Sequence, residues 1–139
     1  MLNFHPIPGT VLLCDYSGFR KPEMVKRRPV IVISPRLRRR SGLCTVVPFS
    51  GTVPDPVEAY HCEIFFERPL PKPWGSPSYW CKADMLATVG FRKLDQIRVG
   101  HDPAGKHKYL KTKVAAEDLR RIRACVLHAL GLGTLTESL

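Results

Sequence analysis

The chain lacks a long apolar segment. Among its 139 residues, no uninterrupted apolar run approaches the ~20 residues that a membrane-spanning helix needs. The first residues also lack the apolar core of a secretory signal. These absences argue against a membrane protein, and we expect a soluble cytoplasmic protein without a membrane contact. A chain of this length fits a single domain over residues 1–139, which would bury roughly two thirds of the surface that the unfolded chain exposes.

Acidic residues are scarce, and the scarcity is local. Aspartate and glutamate number 12 against 22 lysines and arginines, which gives a formal net charge of +10. Residues 20–40 hold nine of these cations and one acid, Glu23, whereas the rest of the chain is nearly balanced with 13 cations against 11 acids. A basic segment on a nearly neutral domain predicts a polyanionic partner. Nucleic acid is the commonest polyanion, and an acidic protein or a membrane surface is the alternative.

Paired cysteines are also missing. The five cysteines lie one to each predicted element, without a CxxC pair or the clustered histidine and cysteine spacing of a zinc site. An odd number of cysteines without an export signal favours buried reduced thiols over a disulfide framework. The sequence therefore predicts no metal site and no cofactor.

One stretch joins a cationic cluster to a buried segment. Lys26, Arg27 and Arg28 run directly into Pro29 and the apolar residues 30–33. The apolar run is too short and too β-branched for a helix, and proline tolerates only the first position of a strand, so we predict a buried strand. Arg28 would then lie at the mouth of that strand, where its permanently charged guanidinium suits a phosphate. The alternative is an arginine that is simply solvated beside the strand.

Alternating and β-branched segments predict a mainly β protein. The predicted strands cover residues 10–16, 29–34, 43–49, 57–66, 78–89 and 106–111. Four prolines in residues 68–78 predict an extended surface loop, and residues 91–97 predict a short turn of helix. Residues 116–130 place apolar side chains at three- and four-residue steps, which predicts one helix that glycines 131 and 133 end. This order favours a small antiparallel β-barrel capped by the C-terminal helix.

Three segments, KRRPVIVISP, LCTVVPFS and KADML, resemble in this order the MazF/PemK family of bacterial growth-inhibiting toxins. The opening PGTVLLCD and the AAEDL at the start of the predicted helix add to the resemblance, which covers most of the chain. The resemblance implies the toxin of a type II toxin-antitoxin system, with an SH3-like barrel that forms homodimers and cleaves single-stranded RNA without a metal. It also implies a small antitoxin whose acidic tail crosses the active groove.

The resemblance assigns roles to four residues. Arg28 matches the catalytic arginine of the family, and Ser50 matches the hydroxyl residue after Val-Pro, which is more usually threonine. Lys82 and Asp84 match a basic and an acidic position beside the late strand, where arginine is more usual than lysine. Met85 stands where the family often has glutamine. Because Lys82 and Asp84 are two apart on a predicted strand, we expect them on one face; without the resemblance they would be a surface ion pair.

These residue types fit cleavage of RNA through its own 2′-hydroxyl. The reaction needs a base for the 2′-hydroxyl proton, an acid for the leaving 5′-oxygen and donors for the phosphorane, and each acid or base contributes ~10²–10⁴-fold. We expect Asp84 to be the base and Lys82 the acid. Arg28 and Ser50 would stabilise the phosphorane, and the products would carry 2′,3′-cyclic phosphate and 5′-hydroxyl ends.

Further cations are expected to contact RNA phosphates. Such contacts set the salt dependence of binding rather than its sequence preference, although a basic turn is most simply a solvated one. Two other functions stay open: a non-catalytic poison of a protein such as gyrase, and a basic RNA-binding barrel without cleavage. The expected phosphate contacts are Lys26, Arg27, Arg36, Arg38, Arg39 and Arg40.

Overall fold

The computed structural model describes all of residues 1–139 and contains nine strands and one α-helix. The helix α1 spans Ala116–Ala129, and none of the helices combines the length and the apolar character needed to cross a membrane. The predicted class, mainly antiparallel β with one C-terminal α-helix, is confirmed. The strands are β1 (Val11–Cys14), β2 (Arg28–Val32), β3 (Leu43–Ser50), β4 (His61–Phe65), β5 (Ser78–Lys82), β6 (Ala87–Gly90), β7 (Leu94–Asp95), β8 (Arg98–His101) and β9 (His107–Tyr109).

Seven strands form one antiparallel sheet. Six of them lie in the order β4, β5, β3, β2, β1, β7, and β6 also pairs with β3. The sheet has open edges and does not close into a complete hydrogen-bonded barrel. β8 and β9 form a separate two-stranded hairpin, whose base is closed by the N–H of Leu110 donating to the carbonyl of Ile97 at 2.7 Å.

Both faces of the central strands are buried, which explains their uninterrupted apolar sequences. Alternate residues belong to two separate apolar clusters. Ile122 and Cys125 of α1 join the first cluster, so the helix covers that side of the sheet. All five cysteines are buried and free, as predicted. The first cluster contains Val11, Leu13, Ile31, Val47 and Phe49, and the second contains Leu12, Cys14, Val30, Val32 and Val46.

Pro48 lies where β3 changes its neighbour. The pairs of β3 with β6 end at Val46, and its pairs with β5 begin at Phe49. The N–H of Ile33 donates to the carbonyl of Thr45 at 3.0 Å, so alternation directs the backbone groups of Pro48 away from β2 and into the gap between β5 and β6. The N–H that proline lacks is therefore not needed for a ladder hydrogen bond.

The helix ends where glycine is expected. Gly131 has a φ of +75°, and its N–H donates to the carbonyl of His128 at 3.1 Å. The N–H of Leu132 donates to the carbonyl of Leu127 at 2.8 Å. These two bonds satisfy carbonyl groups that a helix end leaves free. Leu130, from the predicted apolar stripe, is 56% exposed, so the buried stripe ends before it.

Three predicted segments differ from the structure. The strand expected over residues 78–89 is interrupted by a 3₁₀ turn, Ala83–Met85, because β5 and β6 pair with different parts of β3. The strand expected over residues 57–66 begins only at His61, whose N–H donates to the carbonyl of Glu58 at 3.0 Å and closes a turn. The turn of helix expected over residues 91–97 is a short 3₁₀ turn followed by β7.

Candidate active site

The register of β2 and β3 places Arg28 and Ser50 on one face of the sheet. Val30 pairs with Pro48, and paired residues of an antiparallel sheet point to the same face. Arg28 and Ser50 each lie two residues beyond this pair, one in each strand, so alternation returns both to that face. Two predicted site residues that are distant in sequence thus lie at neighbouring strand ends.

β5 adds Lys82 to this face. Ser50 pairs with Trp80, and Lys82 lies two residues beyond Trp80 in the same strand, so its side chain points the same way. His61 pairs with Lys82 across β4 and β5 and therefore also belongs to this face. Three of the four predicted catalytic residues share one face of the sheet, and a histidine shares it with them.

Asp84 lies at the margin of this face, but on a different element from the predicted strand. It lies on the 3₁₀ turn rather than on a strand, so the expected strand alternation with Lys82 is wrong. The turn instead brings its carboxylate to β4, where Oδ1 lies 4.0 Å from Nε2 of His61. The Asp84 side chain is 44% exposed, so a ligand can reach it.

Arg28 is half-buried and has no polar partner in the chain. It pairs with Cys14 across β1 and β2. Its Nε is buried without a hydrogen-bond acceptor, and its guanidinium takes part in none of the ion pairs. A guanidinium without a competing carboxylate keeps its fork of donors free for a bidentate contact with a phosphate.

Tyr16 lies near Arg28 but does not neutralise it. Its buried hydroxyl group lies against the thiol of Cys14 and has no other polar partner. Burial raises the pKa of Tyr16, and the charge of Arg28 lowers it by a smaller amount. The phenol therefore stays neutral near pH 7, and the positive charge of Arg28 is left uncompensated.

Ser50 is the buried polar residue of the chain, with 3% of its surface exposed. Its Oγ accepts the backbone N–H of Thr52 at 3.2 Å, which occupies a lone pair and leaves the hydroxyl proton free to be donated. The burial restricts the approach of a ligand. Ser50 can therefore supply one hydrogen bond at the margin of the site.

His61 also lies at this site, although the resemblance assigns it no role. Its Nδ1 accepts the backbone N–H of Glu58 at 3.0 Å, so in the neutral ring the proton is on Nε2, the atom that faces Asp84. Its side chain is only 9% exposed. The position of His61 follows from the register of β4 and β5. The sequence does not reveal this register, because a long loop joins the two strands.

An apolar cavity of about 650 Å³ opens beside Asp84. Tyr16, Phe19, Met24 and Met85 contribute to its lining. Aromatic and thioether side chains suit a planar group such as a nucleobase. The site therefore combines a polar face with an adjoining apolar recess.

The cations predicted to contact RNA fall into two separate groups. Lys26 and Arg27 precede β2 and lie at the same end of it as Arg28, whereas the basic turn of residues 36–40 follows the other end. A strand of five residues spans roughly 17 Å, so the basic turn does not adjoin the polar face. Its arginines are exposed and line a cavity of about 510 Å³; they are Arg36, Arg38, Arg39 and Arg40.

The side chains that could bind a metal ion do not form a metal site in this protein. No group of three or more histidine, cysteine or carboxylate side chains is arranged to hold a metal ion. The thiols of Cys62, Cys81 and Cys125 interact with one another in the core, on the side of the sheet covered by α1. The polar face itself offers a guanidinium, a hydroxyl, an ammonium, an imidazole and a carboxylate.

The fold and this face define a small basic β protein with acid and base groups beside an unpaired arginine. Residues 7–130 match the profile of the family described as the PemK-like, MazF-like toxin of type II toxin-antitoxin system. Because the match spans most of the chain, the protein belongs to this family of toxins.

Several relatives share its sequence or its fold. An uncharacterized protein of Haemophilus influenzae is 33% identical over 106 residues, which cover 66% of this chain and 71% of that protein. An endoribonuclease in complex with its cognate antitoxin from a mycobacterial species has a TM-score of 0.63 at 20% identity, covering 92% of this chain and 97% of that one. MazF from Deinococcus radiodurans has a TM-score of 0.59 at 18% identity, covering 93% and 99%. The structural matches confirm the fold.

Proposed function

We propose that this toxin is a metal-independent endoribonuclease that cleaves single-stranded RNA, in particular mRNA, in the cytoplasm. The observation that carries the proposal is the common face of Arg28, Ser50 and Lys82, with Asp84 at its margin. These groups supply a phosphate ligand, a hydroxyl donor, an acid and a base. The similarity to a mycobacterial endoribonuclease supports the same reaction.

The nucleophile is the 2′-hydroxyl of the RNA. Asp84 accepts the proton of this hydroxyl while the oxygen attacks the neighbouring phosphorus. Lys82 donates a proton to the 5′-oxygen as the bond from phosphorus to that oxygen breaks, which leaves a 2′,3′-cyclic phosphate and a 5′-hydroxyl. Each proton transfer contributes ~10²–10⁴-fold to the rate.

Arg28 and Ser50 stabilise the charge that develops on the phosphorane. The guanidinium of Arg28 takes part in no ion pair, so its terminal N–H groups are free for the phosphate. Ser50 adds one hydroxyl donor. A preorganised donor of this kind contributes about 10²–10³-fold, and the burial of Ser50 makes its share the smaller one.

His61 holds the base in position. Because the N–H of Glu58 occupies Nδ1, Nε2 is fixed toward the carboxylate of Asp84 at 4.0 Å. This distance is too long for a hydrogen bond but short enough for electrostatic attraction. A small movement of the exposed carboxylate would complete the bond, so His61 acts through Asp84 as a positioning residue.

Two protein partners belong to this proposal. The mycobacterial endoribonuclease is in complex with its cognate antitoxin, and we propose that an acidic antitoxin likewise binds the exposed cations Lys26 and Arg27 beside Arg28. It would compete with RNA for the same positive charge. The second partner is another copy of the chain in a homodimer, which sedimentation of the purified protein would detect.

Incubation with a long single-stranded RNA tests the enzymatic function. In the presence of EDTA, the purified protein should cut the RNA and leave 2′,3′-cyclic phosphate and 5′-hydroxyl ends. The variant Arg28→Ala, purified in the same way, is the control for a contaminating ribonuclease. Intact RNA with correctly folded protein would refute cleavage, and retention of that RNA would identify a binding protein instead.

A further inference from the structure

A second concentration of positive charge lies outside the proposed site. Residues 98–113 carry five of the 22 lysines and arginines and a single acid, Asp102. When residues 20–40 are also set aside, the rest of the chain has eight cations against ten acids. The whole positive excess of the protein therefore belongs to two segments. Residues 20–40 include Arg28 of the proposed site, and residues 98–113 contain none of the residues proposed for it.

This segment consists of the hairpin β8–β9 and the chain that follows it. Every residue of both strands is exposed, and none of the cations takes part in an ion pair. Oδ1 of Asp102 accepts the backbone N–H groups of Ala104 and Lys106, each at 2.9 Å. The single carboxylate is thus engaged in the turn. Four lysines of the segment are exposed and unpaired, namely Lys106, Lys108, Lys111 and Lys113.

A cavity of about 540 Å³ lies at the base of the hairpin. Phe4, which is 41% exposed, lines it together with Gln96, Lys111 and Lys113. These groups match the parts of a nucleotide, because a ring stacks on the base, an amide hydrogen-bonds to the edge of the base, and lysines contact the phosphate. Tyr109 of β9, which is 39% exposed, offers a second ring.

This surface is within reach of an RNA strand bound at the proposed site. Leu94, Cys14 and Arg28 lie side by side in β7, β1 and β2, so about 10 Å, or two strand spacings, separates Leu94 from Arg28. The hairpin begins at Arg98, four residues after Leu94, which puts its start at most about 25 Å from Arg28. A single strand of several nucleotides spans that distance.

We propose that the hairpin β8–β9, the chain after it and the cavity at its base form a second contact surface for single-stranded RNA. This surface binds nucleotides several positions away from the cleaved bond, and the proposal rests on the proposed function for the identity of its ligand. The lysines contribute by releasing counterions from the phosphates, and Phe4 contributes by stacking on a base. Short RNA reaches only the cleavage site, whereas longer RNA reaches both surfaces.

The aromatic part of the surface favours RNA over an acidic protein segment. The carboxylates of a peptide would satisfy the lysines but would leave the ring-lined cavity unused. A nucleotide chain presents phosphates and planar bases in alternation, which matches lysines interleaved with Phe4 and Tyr109. An acidic peptide is therefore the competing occupant, and poly-glutamate serves as its probe.

Binding of 2′-O-methyl RNA tests the surface without cleavage, because the methyl group blocks the nucleophile. Oligomers of about five and about 20 nucleotides are compared by fluorescence anisotropy at several salt concentrations. The test variant changes Lys106, Lys108, Lys111 and Lys113 to glutamine. A control variant of equal net charge changes four exposed cations elsewhere to glutamine, namely Lys72, Arg92, Arg120 and Arg123.

The test variant should bind the longer oligomer at least about tenfold more weakly, and the slope of log K against log salt should fall by about 3, because each lost phosphate contact contributes about 0.7. Its affinity for the shorter oligomer should equal that of the wild type. The control variant should keep the wild-type slope. Phe4→Ala should weaken binding of the longer oligomer about tenfold without changing the slope.

Equal losses in the test and control variants would overturn the proposal, because net charge alone would then explain them. A test variant that binds both oligomers normally but no longer binds poly-glutamate would also overturn it and would assign the surface to an acidic protein. The protein could also fail to cleave RNA in EDTA and still bind the longer oligomer more tightly through these lysines. That result would refute the proposed function but support the second contact surface. Thermal unfolding of each variant verifies that it is folded.

Discussion

Nε2 of His61 lies 4.0 Å from Oδ1 of Asp84, while the other ring nitrogen of His61 accepts the backbone N–H of Glu58. The two nitrogens therefore have separate tasks. Nδ1 stabilises the turn that precedes β4, and Nε2 faces the carboxylate that we propose as the base. Substitutions that preserve one nitrogen position at a time distinguish these tasks.

His61→Asn keeps an acceptor at the Nδ1 position, and His61→Gln keeps a donor near the Nε2 position. We expect the Gln variant to retain kcat within about threefold and to melt about 4 °C lower, since one lost hydrogen bond costs about 1 kcal/mol. We expect the Asn variant to melt like the wild type and to lose about tenfold in kcat at unchanged KM. Steady-state kinetics and thermal unfolding measure the two effects. If one variant lost both rate and stability, the two nitrogens would not have separate tasks.

Replacement of Arg28 should affect chemistry but not stability. Arg28→Ala should abolish measurable cleavage, a loss of at least ~10³-fold, because the phosphorane loses its main ligand. The free energy of unfolding should change little, because the buried Nε has no acceptor to lose. Arg28→Lys keeps the charge without the fork and should recover only part of the rate. Arg27→Ala, at an exposed neighbour, is the control; equal rates in the Arg27 and Arg28 variants would remove Arg28 from the site.

Asp84→Asn should lower kcat by at least ~100-fold, because an amide cannot accept the proton of the 2′-hydroxyl. Affinity for RNA should hold or rise, since one negative charge is removed from the groove. The matched control is Asp55→Asn, at an exposed carboxylate outside the polar face, which should cleave at the wild-type rate. Single-turnover cleavage separates the chemical step from binding. A near-normal rate for Asp84→Asn would assign the base to another group.

Two buried thiols predict a loss of stability in alkali. Burial raises the pKa of Cys14 and that of Cys44 from the ordinary value of 9.0 to about 11. Between these values the unfolded chain releases the thiol protons and the native protein keeps them, so stability is full below pH 9 and falls as the pH rises toward 11. Urea unfolding at increasing pH measures the decline. Cys14→Ala and Cys44→Ala should each make the free energy of unfolding fall less steeply with pH. An unchanged slope in both variants would show that these thiols do not cause the decline.

The basic turn should affect binding but not the chemical step. Changing Arg38, Arg39 and Arg40 to glutamine should reduce the salt slope for a long RNA by about 2, at about 0.7 for each phosphate contact. Cleavage of a short RNA should be unaffected, because β2 separates the turn from Arg28 by roughly 17 Å. Filter binding and cleavage assays on the two RNA lengths measure these effects. An unchanged slope would show that the turn is solvated.

The strands that pack into the core are the part of the fold that sequence predicts best. β3 (Leu43–Ser50) matches its predicted bounds to one residue, because a β-branched run between a glycine and a proline-containing end has few other solutions. The interruption between β5 and β6 is not predictable in this way. It arises because β3 changes partner near Pro48, and strand pairing is a long-range property that a local pattern does not contain. β8 has no apolar alternation to detect, since all four of its residues are exposed.

The same limit applies to the candidate site. Short motifs predict the positions of Arg28 and Ser50, because each motif fixes a strand end. The loop between β4 and β5 is too long for a hairpin rule to set the register, so the place of His61 opposite Lys82 is visible only in the structure. The basic turn follows Arg28 closely in sequence, yet the extended strand β2 carries the two to opposite ends.

The hydrogen bond from Leu110 to Ile97 closes the hairpin at its base. Directly beyond it, the carbonyl of Thr112 accepts the N–H of Val11 at 3.0 Å and returns the chain to the edge of the main sheet. Residues can therefore be inserted into or deleted from the hairpin, between Ile97 and Leu110, without shifting the register of β1, β2 or the site. The length and charge of the hairpin can therefore change while the polar face of Arg28, Ser50 and Lys82 keeps its geometry. If the two proposals hold, toxins could then differ in RNA preference and share one cleavage chemistry.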